Sequence, residues 1–221
     1  MTEKKNAKIY FILGALLLAL FAVLTLLVKT VDVKAVGPMG SEIGLSGINT
    51  YFHKIIGVNM DLYDATEILG YIPIAAAAFF AGIGAYQLVK GKSLKAVDSN
   101  IIILGALLVV LACAYVFFEI VIVNYRPIIM ENELEASFPS SHTMLSVTVL
   151  GAVLIHLRSR TKNTAVRVVG TSLGVILILA TVIGRLLSGV HWFTDIIAGI
   201  LISVSLLLFY VGTCKIFDKN A

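Results

Sequence analysis

Charge and cysteine are both scarce in this chain of 221 residues. Asp, Glu, Lys and Arg make up 14% of it, against about 25% in soluble globular domains. That deficit excludes an ordinary water-soluble fold, because the apolar share is 59% and falls in long runs. The two cysteines exclude a disulfide framework or a zinc site: Cys113 falls inside one apolar run and Cys214 near the end of another. They read as small buried hydrophobes. There is no internal repeat, no low-complexity segment, no glycine-rich Walker-type loop and no carboxylate cluster of the kind that holds magnesium. No metal and no cofactor are therefore expected. The net charge of +4 and the pI near 9.0 do not point to nucleic acid, because most of the basic residues sit in short loops between apolar runs.

What is present is a series of membrane spans, read at 8–28, 68–89, 101–123, 142–157, 168–187 and 192–214. About 20 apolar residues cross a hydrocarbon core of about 30 Å, so the fourth is short and begins within an interface. The first follows Lys4, Lys5 and Lys8, as in a signal peptide, but Ile9–Val28 is too long for one. The next stretch, KTVDVKAVG, offers no cleavage site, so the run is a retained span. The expected fold is all-α and integral to the membrane: a six-transmembrane-helix bundle forming one domain over 1–221.

Basic residues orient it. Lys4, Lys5, Lys8, Lys90, Lys92, Lys95, Arg158, Arg160, Lys162, Arg167, Lys215 and Lys219 fall on one side. Lys29, Lys34, Lys54, Arg126 and Arg185 fall on the other. The positive-inside rule places the larger set, with both termini, in the cytoplasm of a plasma (inner) membrane. The outer connections are then 29–67, 124–141 and 188–191, and the outer side also holds ten of the thirteen acids, Glu131, Glu133 and Glu135 among them. In the long outer loop, about 29–67, Tyr51, Phe52, Ile55 and Ile56 are spaced as on an amphipathic helix.

Ionisable residues at membrane depth are costly and mark function. Here they gather at the outer ends: Glu119, Arg126, His142, Arg185, His191 and Asp195. Arg126 closes the third span before Pro127. Taken singly it reads as a snorkelling interfacial arginine. Ser140 and Ser141 precede the fourth span as N-caps, and a helix N-terminus binds anions. A capped helix with an interfacial histidine explains Ser140, Ser141 and His142 equally well. His191 and Asp195, four apart, share a helix face, so the carboxylate can orient the imidazole. Trp192 fits an interfacial aromatic anchor. Together the arginines and helix amides suit a phosphoryl group. One histidine can attack phosphorus while the other protonates the leaving oxygen.

These segments resemble the type-2 phosphatidic acid phosphatase superfamily. Its pattern is Lys-x6-Arg-Pro, Pro-Ser-Gly-His and Ser-Arg-x5-His-x3-Asp. Here the stretches run from Glu119 to Arg126 and Pro127, from Pro139 to His142, and from Gly184 and Arg185 through His191 to Asp195. The resemblance implies His191 as nucleophile, Asp195 as its orienter and His142 as general acid. It implies Arg126 and Arg185 as phosphate clamps, with Ser140 and the Ser141 backbone completing the cradle. Ser141 replaces glycine, Gly184 replaces serine, and Glu119 replaces lysine. Glu119 is expected to pair with an active-site arginine.

The implied activity is hydrolysis of a lipid phosphate or diphosphate at the outer face of the bilayer through a phosphohistidine, without metal. Undecaprenyl diphosphate is the first candidate, with phosphatidic acid and phosphatidylglycerophosphate next. The competing reading is a non-catalytic phospholipid-binding or transport protein on the same scaffold.

Overall fold

The computed structural model describes residues 2–130 and 132–217, and side chains from residue 7 onward. Glu131 and Lys219, and the side chains of Lys4 and Lys5, lie outside the described residues. The chain forms α1 (Thr2–Thr30), α2 (Ser46–Ile56), α3 (Met60–Gly91), α4 (Ser99–Ile120), α5 (Ser141–Arg160), α6 (Thr164–Leu187) and α7 (Phe193–Phe217). All except α2 are long and apolar enough to cross a membrane, and the protein is a multi-pass membrane protein. In lipid a spanning backbone must satisfy its own polar groups, which is why each apolar run is a helix.

Burial divides the six. Windows of α5 and α7 are 50% and 44% buried, whereas the other four lie between 11% and 22%. The pair α5 and α7 is therefore the protein core, and the others turn apolar faces such as Leu16, Ile68, Val109 and Ile176 outward to the lipid. Cys113 is exposed on α4, not buried as expected. In a bilayer an apolar side chain has no need to be inside the protein. α1 lies along α7, where Ser205 Oγ donates to Gly14 O at 2.8 Å. Ser203 Oγ of α7 donates to Met144 O of α5 at 3.2 Å.

α3 differs most from the sequence reading. It starts at Met60, eight residues before the apolar run at 68, because Asn59 caps it by accepting from Leu62 N at 2.9 Å. Three acids thus enter the helix: Asp61, Asp64 and Glu67. α5 is interrupted one turn after His142 by a π-helical segment, Ser146–Leu150, a distortion frequent near functional sites.

The amphipathic pattern at 51–56 is indeed helical. Tyr51 and Ile55 are exposed while the Phe52 ring stacks on Phe193 at 4.2 Å. The segment before it is ordered by Asp32, which pairs with Lys34 at 2.8 Å and accepts from Gly47 N at 2.6 Å. Those contacts hold its carboxyl down to about 2. Asn49, fully buried, docks α2 on the start of α7. Its amide donates to Thr194 Oγ1 at 3.0 Å, and its carbonyl accepts from Thr194 N at 3.1 Å.

Candidate functional site

The connection 121–140 folds back on itself and carries half of the site. Arg126 N donates to Glu135 O at 3.0 Å, and Ser137 N donates to Asn124 O at 2.9 Å. Phe138 is clamped between the rings of Phe21 and Phe118, at 6.0 and 6.1 Å. This places Pro139 and Ser140 at the head of α5, where Ser140 N donates to Asp195 O of α7 at 3.1 Å. The serine cap expected there is absent: Ser140 makes no side-chain cap bond, and its buried Oγ has no partner. The Ser141 amide opens α5, among the N–H groups a helix leaves unpaired.

His191 sits in the turn ahead of α7. That turn is held by Gly189, whose φ is +70° and whose α-carbon lies against the Gly57 carbonyl, leaving no room for a side chain. The expected direct contact with Asp195 is not made. His191 Nδ1 and Asp195 Oδ2 are 3.8 Å apart, because helix α7 starts only at Phe193 and Asp195 Oδ2 turns back to accept from Trp192 N at 2.8 Å. Ser137 bridges them: its Oγ donates to Asp195 Oδ2 at 2.5 Å and lies 3.1 Å from His191 Nδ1. His191 Nδ1 is also 3.1 Å from Ser137 O. A carbonyl can only accept, so the proton is on Nδ1 and Nε2 keeps a lone pair. Nε2 is buried and has no hydrogen-bond partner among the described residues. Burial, reinforced by the charges of Arg126 and Arg185, holds the His191 imidazole well below its ordinary range.

Trp192 is not an interfacial anchor. It is 3% exposed, and its Nε1 donates to Tyr125 O at 2.7 Å, tying the His191 turn to the 121–140 connection. Two hydrogen-bonding edges meet there, so burying the indole is cheap.

Both arginines are buried beside this turn. Arg126 Nε pairs with Glu135 at 2.9 Å. Arg185 pairs with Glu67 of α3 and packs under the Tyr63 ring at 4.8 Å. Arg126 Nη1, Arg185 Nε and Arg185 Nη1 have no hydrogen-bond partner among the described residues. His142 stands between these groups, with Nδ1 2.5 Å from Arg185 Nη2 and Nε2 3.3 Å from Glu67 Oε2.

Glu119 corrects the sequence reading in one respect. It forms no ion pair with either arginine among the described residues, since Glu135 and Glu67 already hold them. It is exposed at the end of α4 and lines a small pocket with Arg126, Ser137, Ser141 and His191. Ser141 also borders a second cavity of about 490 Å³, which holds Glu67 and His142 and is walled by Tyr71, Ile74, Leu108 and Leu111. Sequence reasoning missed Ser137 and Glu67. Ser137 lies between the first and second motifs, and Glu67 was assigned to a loop whose last residue it was.

The arrangement can do one thing directly. Arg126 and Ser141 line one pocket with His191, the Arg185 charge acts on the same ring, and Ser140 is tied to Asp195. That is a site for a tetrahedral anion facing a nucleophile.

Residues 119–215 match the family model of the PAP2 superfamily. The structure is similar to the crystal structure of a transmembrane PAP2-type phosphatidylglycerolphosphate phosphatase from Bacillus subtilis. The TM-score is 0.60 at 18% identity, covering 94% of this chain and 96% of that one; likeness at that identity is one of fold. No curated protein matches the chain.

Proposed function

We propose that the protein, whose residues 119–215 match the family model of the PAP2 superfamily, is a membrane lipid phosphatase removing the terminal phosphate of a lipid phosphate or diphosphate. The observation that carries the reading is a set of buried polar groups left without a partner among the described residues: His191 Nε2, Arg126 Nη1, Arg185 Nε, Arg185 Nη1 and Ser140 Oγ, with the charges of both arginines acting on the His191 ring. A buried donor left without a partner costs roughly 1–3 kcal/mol, and more when charged. A phosphoryl group satisfies all of these donors at once, which gives the substrate its affinity.

His191 Nε2 attacks phosphorus, forming the N–P bond. The bond to the leaving oxygen breaks, and its electron pair stays on that oxygen, which takes a proton from His142. Water then attacks the phosphohistidine, His142 removes a proton from it, and orthophosphate departs with His191 restored. Asp195, through Ser137, keeps the proton on Nδ1 and offsets the positive charge on the substituted ring. Arg126, Arg185, Ser140 Oγ and the Ser141 amide hold the phosphoryl oxygens. Side chains and backbone fill every role, so hydrolysis is expected to persist in chelator.

The cavity of about 490 Å³ beside His142 supports a lipid substrate, because its walls are largely apolar side chains. Undecaprenyl diphosphate is the first candidate, followed by phosphatidic acid and phosphatidylglycerophosphate. The basic loops at the far end support a site on the extracytoplasmic face of the plasma membrane, with both termini cytoplasmic. A non-catalytic phospholipid-binding or transport role has one observation in its favour. Glu67, Glu119 and Glu135 crowd negative charge around two arginines. A phosphate-release assay on purified protein with these lipids, with and without chelator, decides between them. Chelator-insensitive release supports hydrolysis, and lipid binding without release supports the second reading.

A further inference from the structure

Glu67 is the acid that the sequence reading placed in a loop, and its surroundings give it a distinct task. One carboxylate oxygen pairs with Arg185 Nη2, and the other lies 3.3 Å from His142 Nε2. Arg185 Nη2 also points at His142 Nδ1, 2.5 Å away. A guanidinium nitrogen can only donate, so Nδ1 accepts and the ring proton is on Nε2, facing Glu67. The Cδ2–Nε2 edge of the imidazole lies against α3 at Gly70, one turn beyond Glu67. A Cβ at Gly70 would stand 2.7 Å from His142 Cδ2 and 2.8 Å from Nε2. Glu67 thus fixes the tautomer, and the bare backbone at Gly70 leaves room for that edge. Tyr63, one turn before Glu67, covers Arg185 from the same helix.

We propose that Glu67 is the positioning carboxylate of the acid histidine: it holds the Nε2–H of His142 so that Nδ1 is the nitrogen presented to the substrate's leaving oxygen. The inference rests on the phosphatase reading above. When a phosphoryl group takes over Arg185, Nδ1 is released beside the leaving oxygen. The ring can then carry a second proton on Nδ1, its charge balanced by the Glu67 carboxylate at Nε2. That proton moves from Nδ1 to the leaving oxygen as the P–O bond breaks, and His142 returns to its neutral form with Nε2–H still on Glu67. The arrangement is the reverse of the Asp195–Ser137–His191 set, where the carboxylate serves Nδ1 and Nε2 reacts.

A group that acts through the general acid is needed most where the leaving group is poor. An alkyl phosphate expels an alkoxide and requires the proton; p-nitrophenyl phosphate expels a stabilised phenolate and does not. Wild type, Glu67→Gln, His142→Ala and the double variant are assayed on a long-chain alkyl phosphate and on p-nitrophenyl phosphate in the same detergent micelles. Glu67→Gln is expected to lose roughly 10–100-fold more kcat on the alkyl ester than on the aryl ester, up to the lower end of what general acid catalysis contributes. On the alkyl ester the double variant should fall less than about threefold below His142→Ala, as for residues acting as one unit. Glu67→Asp, which keeps the charge with a shorter reach, should show the same selectivity in smaller measure and serves if the glutamine variant does not fold. Equal losses on the two esters, or full additivity with His142→Ala, would overturn the proposal and leave the phosphatase reading intact. A wild-type protein that releases no phosphate from either ester or from undecaprenyl diphosphate removes both.

Discussion

His191 and Asp195 are 3.8 Å apart, beyond hydrogen bonding, so the coupling between them passes through Ser137 Oγ. Ser137→Ala leaves the ring its carbonyl partner but cuts the link to the carboxylate. The expected result is a kcat lowered roughly 10–100-fold with KM little changed, the size of effect seen when the residue orienting a reactive histidine is removed. Steady-state kinetics on p-nitrophenyl phosphate would show it. The pH dependence follows from the same buried ring. His191 is held below its ordinary value of 6.5, so the folded protein binds its proton only at lower pH than the unfolded chain does. Its attacking nitrogen therefore stays unprotonated to lower pH than in a free imidazole. The acid limb of phosphoenzyme formation should lie below pH 6.5, and stability should fall as pH drops through that window. A pH–rate profile with its acid limb at 6.5 or above contradicts this placement.

At the scale of elements, the site is where three chain segments meet, and each is fixed by a polar contact at a helix end. Asn49 joins α2 to α7 through Thr194, and truncating it leaves the Thr194 amide buried and unpaired. Asn49→Ala is expected to cost roughly 1–3 kcal/mol and to lower the melting temperature in detergent, with activity falling in parallel. Gly70→Ala should leave the fold intact, because only the His142 side chain is in its way, yet lower turnover by pushing the acid aside. The six spans were legible in the sequence because lipid imposes helices on apolar runs. The gathering of Arg126, His142, Arg185, His191 and Asp195 was legible because charge at membrane depth is rare, and Ser140 because it stands just before an apolar run. Glu67 was not, since a helix cap at Asn59, rather than hydropathy, sets where α3 begins. Nor was Ser137, since only the fold of the 121–140 connection brings it to the imidazole. The Glu119 pairing was inferred from spacing along one helix. It failed because α4 ends at Ile120 and Arg126 lies beyond it, paired across the connection to Glu135.

At the scale of the whole molecule, the account joins an anion site to an apolar cavity in one membrane protein, with the basic loops at the opposite end. The proposed orientation puts the 29–67 segment outside the cell. Met39→Cys, at an exposed position of that segment, should react with a membrane-impermeant maleimide in intact cells. Labelling only after lysis contradicts the orientation. The central claim is that His191 becomes phosphorylated during turnover. Acid-sensitive, alkali-stable label from a substrate carrying radioactive phosphate, trapped by rapid alkaline quenching, measures it directly. Wild-type protein should carry the label at residue 191, and His191→Ala should carry none and release no phosphate. A His191→Ala protein that releases phosphate as fast as wild type would contradict the account.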